Sequence, residues 1–145
     1  MKNEGYIFVL CLTGVLILAC VMGRPSFLSD DNKFLREFVD SDLLSFLGVV
    51  LTLSIGLLAQ LFLSVEKLTD RLGRDAISSI RSELRSTART LLIIFAITMA
   101  LVFIKPILPQ VDVHLAILNG LVVFLVVFYL CILSDVILSV FDFDI

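Results

Sequence analysis

The stretch Ser64–Thr90, SVEKLTDRLGRDAISSIRSELRSTART, decides how the rest of this 145-residue chain can fold. It carries six of the eleven Lys and Arg side chains and lies between two long apolar segments. The six are Lys67, Arg71, Arg74, Arg81, Arg85 and Arg89. On one continuous helix, at ~100° per residue, they would fall within an arc of about 80°. The stretch therefore predicts a basic helical connection between two apolar segments.

The chain on either side of this stretch is strongly apolar. Hydrophobic residues make up 59% of the sequence and the mean hydropathy is +1.10, whereas a soluble domain is about 45–50% apolar. The apolar residues are gathered into four segments of roughly the length that crosses a bilayer. They predict an all-α integral membrane protein, a single membrane domain with spans at about 6–22, 43–65, 86–104 and 115–134. The third span reaches this length if it starts near Ser86 and Arg89 extends to the interface.

The first apolar segment also imitates a cleavable lipoprotein signal. Lys2 precedes it, and Leu18-Ala19-Cys20 lies near its end. Leu18 is a poor residue two positions before such a cysteine. We therefore interpret the segment as a retained membrane helix.

The distribution of basic residues predicts the orientation. With four spans and a cytoplasmic Ser64–Thr90, both termini are cytoplasmic, and seven of the eleven basic residues lie inside. The four outside are Arg24, Lys33, Arg36 and Lys105. Because the opposite orientation would reverse this bias, we expect the N-terminus and the C-terminus in the cytoplasm.

Two structures fit the middle of the chain. Apolar residues recur there at spacings of three or four: Val65, Leu68, Leu72, Ala76, Ile80, Leu84 and Ala88. A helix lying on the membrane surface would show this pattern. Gly73, followed by Asp75 as an N-cap, instead predicts a helical hairpin over about 64–90. The second and third helices would then run over about 43–72 and 76–104, each roughly 45 Å long, and both would extend into the cytoplasm. Their matched lengths favour the hairpin.

The two loops predicted on the outer side of the membrane contain a short helix and two prolines. Phe34, Leu35, Phe38 and Val39 give residues 31–40 an apolar face. We expect this helix to be capped from Ser29-Asp30-Asp31 and to lie flat in the outer interface, with Ser41 capping the second span. Pro106 and Pro109 are expected to end the third span.

One face of the second span collects small and polar residues at a spacing of four. They are Gly48, Thr52, Gly56, Gln60 and Ser64. Small residues let helices approach closely in lipid, and polar residues can hydrogen-bond across the contact. Three uses remain open: packing within the chain, contact between copies of a homo-oligomer, or the lining of a pore.

Two further features are candidate docking surfaces. The arginines Arg74, Arg81, Arg85 and Arg89 could meet anionic lipid headgroups or an acidic cytosolic protein, or form only a solvated helix face. Nearby acidic residues dilute the charge, which argues against direct nucleic-acid binding. The tail residues Phe141, Asp142, Phe143 and Asp144 could dock on a partner or on the basic stretch of a neighbouring subunit, or form a frayed end.

The sequence gives no support to catalysis, a metal site or a cofactor. The single histidine, His114, has no nucleophile partner at a recognisable spacing, and no two cysteines form a CxxC pair. Ionisable residues are missing from the middle of every span, which argues against a proton-coupled transporter. Small four-helix drug exporters carry a glutamate in their first span, and none occurs here.

Residues 42–48, DLLSFLG, and 65–68, VEKL, together with the four-span architecture, resemble small membrane proteins of bacterial anti-phage defence systems. In particular, the chain resembles the four-helix membrane subunit of the Kiwa system. The resemblance implies a homo-oligomer of the inner membrane that works with a cytosolic DNA-binding protein. We therefore expect a non-enzymatic scaffold or sensor that self-associates and recruits a cytosolic partner. The alternative is an oligomeric ion channel or membrane-permeabilising effector.

Overall fold

The computed structural model describes residues 2–67, 74–109 and 111–143, with side chains for 5–40, 42–66, 77–109 and 111–139. Five α-helices account for most of them: α1 (Lys2–Gly23), α2 (Lys33–Glu37), α3 (Leu43–Lys67), α4 (Arg74–Ile104) and α5 (Asp112–Phe143). Short 3-10 turns cover Pro25–Phe27 and Lys105–Ile107, and a π-helical turn covers Phe38–Asp42. These described residues contain no strand, which confirms the all-α prediction.

Four of the helices are long and apolar enough to cross a membrane. The qualifying segments are Gly5–Gly23, Leu43–Glu66, Ile77–Ile107 and Asp112–Ser139. They coincide with the four predicted spans, which are therefore confirmed as helices. The third is longer than predicted at its start, because the helix continues through the basic residues before Ser86. The chain is thus a multi-pass helical membrane protein.

Helix α5 is the centre of the bundle, since it contacts the other three long helices, whereas α1 packs mainly against α5. Four of its buried residues are spaced seven positions apart: Leu115, Val122, Tyr129 and Val136. This spacing keeps one stripe of a helix facing its neighbours along its whole length. Large side chains on the other faces of the four helices, such as Phe8, Leu53 and Ile137, remain exposed. We expect these faces to contact lipid.

The four long helices run alternately up and down, so the bundle has two distinct ends. The terminal end contains the start of α1, the end of α3, the start of α4 and the end of α5. The loop end contains residues 24–42, 105–109 and 111. The register of α1 against α5 brings Gly14 next to the Phe124 ring and Gly120 next to the side chain of Ile17.

The predicted outer helix over 31–40 is shorter than expected. Its N-cap is Asn32, whose side chain accepts a hydrogen bond of 3.1 Å from the Phe34 N–H. The predicted cap at Ser29-Asp30-Asp31 is wrong, because Ser29 Oγ accepts from the Asp31 N–H and closes the preceding turn. The helix also breaks at Val39 and Asp40, where the backbone torsions are not helical. The predicted cap at Ser41 concerns a side chain outside the described residues.

The apolar face of this segment divides between two environments. Leu35 and Val39 are buried in the core, whereas Phe34 is exposed and stacks on Phe38 with ring centroids 5.6 Å apart. The segment is therefore anchored in the bundle by one half of the predicted face.

The predicted turn at Gly73 lies outside the described residues, so the hairpin stays a prediction. Helix α4 already includes Arg74, which places Asp75 inside the helix. The predicted N-cap at Asp75 is therefore wrong. The third helix begins earlier than the predicted start at Ala76.

We expect Gly120→Ala to destabilise the packing of α1 on α5. A Cβ at Gly120 would lie 2.7 Å from Cγ2 of Ile17, a β-branched side chain with little freedom to move away. Overpacking of this kind costs about 1–3 kcal/mol. Thermal unfolding of the detergent-solubilised protein should show a lower Tm. The second substitution Ile17→Ala should recover part of the loss, because it removes the clashing methyl group.

Gly14→Ala is the matched control, since its new Cβ would contact the Phe124 ring at an ordinary 3.8 Å. This variant should match or exceed the wild-type Tm because alanine favours helix. Equal Tm values for Gly120→Ala and Gly14→Ala would show that the close approach is not a constraint.

Candidate functional site

The predicted small-residue face of α3 is turned away from the rest of the described chain. We call it the α3 stripe: Gly48, Thr52, Gly56, Gln60 and Ser64. Thr52, Gly56 and Gln60 are exposed, and Gly48 and Ser64 are partly so. A Cβ added at Gly48 or Gly56 would meet no atom within 4 Å. The two glycines therefore do not serve close packing within the described part of the chain.

A different set of polar residues lies inside the bundle, and no spacing pattern in the sequence distinguishes it. Ser54, Thr98 and Tyr129 are each 0% exposed. Ser54 Oγ donates to the Val50 carbonyl at 2.7 Å, and it lies 3.4 Å from the Tyr129 hydroxyl. Because the serine proton is used within α3, the tyrosine hydroxyl is the donor to Ser54. This bond links α3 to α5 across the core.

Arg81, one of the predicted docking residues, is engaged within the chain. Its guanidinium is 3.2 Å from the Glu66 carboxylate and lies over the Phe62 ring, 5.1 Å from the centroid. Its side chain is 40% exposed, so screening by solvent keeps the ion pair weak. Together the two contacts connect α4 to α3 at the terminal end. Arg81 therefore positions helices rather than offering a free charge.

The other predicted docking residues have different environments. Arg85 and Arg89 are exposed, one and two turns further along α4. The structure does not describe the side chains of four predicted docking residues: Arg74, Phe141, Asp142 and Phe143. Asp144 lies outside the described residues. The three described arginines of the basic stretch therefore do not form one uniform surface, because Arg81 is paired within the chain whereas Arg85 and Arg89 are exposed.

A polar cluster at the loop end holds three segments together. No motif in the sequence indicates it. We call Asp30, Lys105 and Asn119 the loop-end cluster. Lys105 Nζ lies 2.9 Å from the Asp30 carboxylate, and the two side chains are 11% and 24% exposed. Asn119, fully buried on α5, donates to the Asp30 carboxylate at 3.1 Å and to the Leu28 carbonyl at 2.8 Å.

Lys105 also satisfies a backbone group that the break after α2 sets free. At this break the Leu43 N–H bonds to the Phe38 carbonyl, so the Val39 carbonyl has lost its ordinary helical donor. Lys105 Nζ donates to it at 3.2 Å. An unpaired backbone carbonyl near the apolar core would be costly, which explains why a lysine ends α4.

An open cavity adjoins this cluster. Its volume is about 500 Å³. Asp30, Arg36, Asp40 and Lys105 contribute charges of both signs, and Phe103 is among its apolar residues. The balance of charges gives no preference for an anion or a cation. Among the described residues, no group of three or more His, Cys, Asp or Glu side chains is placed to hold a metal ion.

Comparisons with protein-family models, curated proteins and solved structures found no match to this chain. Its class rests on its own geometry: a four-span helical bundle with buried polar links between helices and a polar stripe turned outward.

We expect the pair Asp30 and Lys105 to show strong energetic coupling. Lys105→Met removes the counter-ion of the mostly buried Asp30 carboxylate and leaves the Val39 carbonyl without its donor, and should cost about 1–3 kcal/mol of stability. Asp30→Asn should cost less, because the amide can still accept from Asn119. In the double variant the losses should be smaller than their sum, as a double-mutant cycle from thermal unfolding would measure.

Asp31→Asn is the control, because this neighbouring carboxylate is exposed. Its effect should fall within about 0.5 kcal/mol of zero. Strict additivity of Asp30→Asn and Lys105→Met would contradict a structural role for the pair.

Proposed function

We propose that this chain is a non-enzymatic scaffold or sensor of the bacterial inner membrane that self-associates through the α3 stripe and recruits a cytosolic protein. The observation that carries the proposal is the exposure of a close-approach helix face that the rest of the described chain leaves uncovered. The resemblance to Kiwa-type membrane subunits supports a role in anti-phage defence.

The chemistry of the α3 stripe favours a second copy of the chain as its partner. Gly48 and Gly56 lie two helical turns apart, and neither has a neighbour within 4 Å of an added Cβ, so another backbone can approach there. Thr52, between them, spends its hydroxyl proton on the Gly48 carbonyl at 2.9 Å. Its oxygen remains an acceptor. The exposed Gln60 amide requires hydrogen-bond partners in a lipid environment, and an equivalent stripe supplies them.

Recruitment rests on the terminal end. The excess of basic residues there supports its placement in the cytoplasm. With Arg81 held by Glu66 and Phe62, the exposed Arg85 and Arg89 are the better candidates for contact with an acidic protein. The tail around Phe141–Asp144 is a second docking segment in this proposal.

Substituting both stripe glycines by leucine should break the oligomer. Gly48→Leu with Gly56→Leu fills the space into which a neighbouring backbone would come, and we expect dissociation to be at least about tenfold easier. The assembled mass should be measured by light scattering in detergent and by cross-linking in membranes. The monomer should keep its Tm, because no atom of its own lies near either glycine.

Gly5→Leu serves as the control, since Gly5 on α1 also faces open space. It should leave the oligomer intact. An unchanged mass for the stripe variant would remove the α3 stripe from self-association.

The polar groups of the stripe also favour one alternative, an oligomeric channel. If Thr52 and Gln60 lined a pore, liposomes containing the purified oligomer would conduct ions, and Gln60→Leu would abolish the conductance. A scaffold should give no conductance above that of empty liposomes. Ion flux that depends on Gln60 would therefore overturn the scaffold proposal and support the channel.

Reversing the free charges of α4 should prevent recruitment. Arg85→Glu with Arg89→Glu changes attraction for an acidic surface into repulsion, so we expect a loss of binding of at least about tenfold. The measurement is co-purification, after cross-linking, of a soluble cytosolic protein that the wild-type chain retains. The oligomer mass should not change, because neither residue belongs to the α3 stripe.

Lys33→Glu with Arg36→Glu is the matched control, because both residues are exposed at the loop end. It should leave recruitment intact. If the Arg85 and Arg89 substitutions reduce binding to anionic vesicles but not to the soluble protein, these arginines serve the lipid surface alone.

A further inference from the structure

A second open cavity lies at the terminal end, where α1, α4 and α5 meet. Its volume is about 290 Å³, at the low end of the ~300–1,000 Å³ typical of small-ligand sites. We call it the terminal crevice. Tyr6 from α1, Ser86, Thr87 and Thr90 from α4, and Asp135 from α5 give its lining polar atoms. Its other lining residues are Leu10, Phe128, Cys131 and Ile132.

The hydrogen bonds around the terminal crevice leave it rich in acceptors. Thr87 donates its hydroxyl proton to the Glu83 carbonyl at 3.1 Å, and Thr90 donates to the Ser86 carbonyl at 3.0 Å. A hydroxyl has one proton to donate, so both oxygens can only accept from a ligand. The structure gives the Asp135 carboxylate no hydrogen bond or ion pair with any described residue.

A neighbouring cavity adds negative charge to the same region. This cavity, of about 160 Å³, shares Thr87 and Asp135 with the terminal crevice and is also lined by Glu83. Neither lining includes Lys, Arg or His among the described residues. A ligand that carries positive charge and N–H donors would therefore match the site.

The position of the terminal crevice along the helices identifies the source of such a ligand. Tyr6, Ser86 and residue 134 are the predicted boundaries of three spans, and the crevice gathers residues at or next to each of them. From these predicted limits we expect the lining to lie at the depth of lipid headgroups. Tyrosine is itself enriched at this depth. Lateral neighbours such as Ile7 and Ile137 are exposed and face lipid, so a phospholipid can enter from the side.

We propose that the terminal crevice binds the primary ammonium group of phosphatidylethanolamine. The ammonium supplies three N–H donors and a positive charge to Asp135, Thr87 and Thr90, while the apolar residues accept the lipid's first chain carbons. A choline headgroup has no N–H to donate, and an anionic headgroup meets repulsion from Asp135. The lining offers a metal ion a single carboxylate, that of Asp135, which is too few ligands to hold it. The site is separate from the α3 stripe and does not depend on self-association.

Native mass spectrometry of the full chain can measure this preference. The protein is released from nanodiscs that contain equal amounts of phosphatidylethanolamine and phosphatidylcholine with identical acyl chains. We expect wild type to retain the ethanolamine lipid on the order of tenfold more than the choline lipid, the effect of a charge-assisted hydrogen bond. Asp135→Asn should bring the ratio close to one. Thr87→Val, which keeps the shape of the side chain, should lower the ratio by less.

Asp112→Asn is the control, because it removes the same charge from the loop end of the same helix. It should keep the wild-type ratio. Should Asp135→Asn fail to fold, Thr87→Val alone decides the outcome. An unchanged ratio in either folded variant would overturn the proposal. A second arm adds free ethanolamine at the same concentration as the ethanolamine lipid: retention of the lipid supports the proposal, whereas its displacement would assign the site to a soluble amine and overturn the lipid assignment.

Discussion

The ammonium group of Lys105 is the contact on which the loop end of this bundle depends. It pairs with the Asp30 carboxylate and also donates to the Val39 carbonyl, which the break after α2 has left without its helical donor. Asp30 in turn accepts from Asn119 on α5. One cation thus ties the end of α4, the segment after α1 and the start of α3 to the central helix. Because these side chains are largely buried in the protein, water cannot readily replace a lost hydrogen bond, and such a cluster determines how the helices are joined.

Polar side chains in the apolar helices follow a clear division between inside and outside. Ser54, Thr98 and Tyr129 face inward, and their hydroxyls are satisfied by helix carbonyls or by each other. Thr52 and Gln60 face outward, on the opposite side of α3 from Ser54. Inward groups fix the packing of one chain, while outward groups in lipid need partners from elsewhere. This contrast is the physical basis for proposing contact between copies.

Charge at the terminal end is also divided by helix face. On α4, Arg81 turns toward α3 and its Phe62 and Glu66, whereas Thr87 and Thr90 turn toward α1 and α5, where Asp135 lies. The same helix therefore presents a basic side and an acceptor-lined side to different surroundings. The proposed protein partner and the proposed lipid headgroup would therefore contact different sides of α4.

The sequence by itself determined the helical class and the presence of four helices long and apolar enough to span a membrane, because runs of apolar residues near the bilayer's thickness allow few alternatives. It also identified the α3 stripe, because a spacing of four places residues on one helix face whatever the helix packs against. The sequence could not tell which face of α3 the chain would cover, so Ser54 and Thr52 looked alike. It likewise could not place Asp30 beside Lys105 and Asn119, or Asp135 beside Thr87. These contacts join residues far apart in sequence, and only the packing of α5 against its neighbours decides which of them meet.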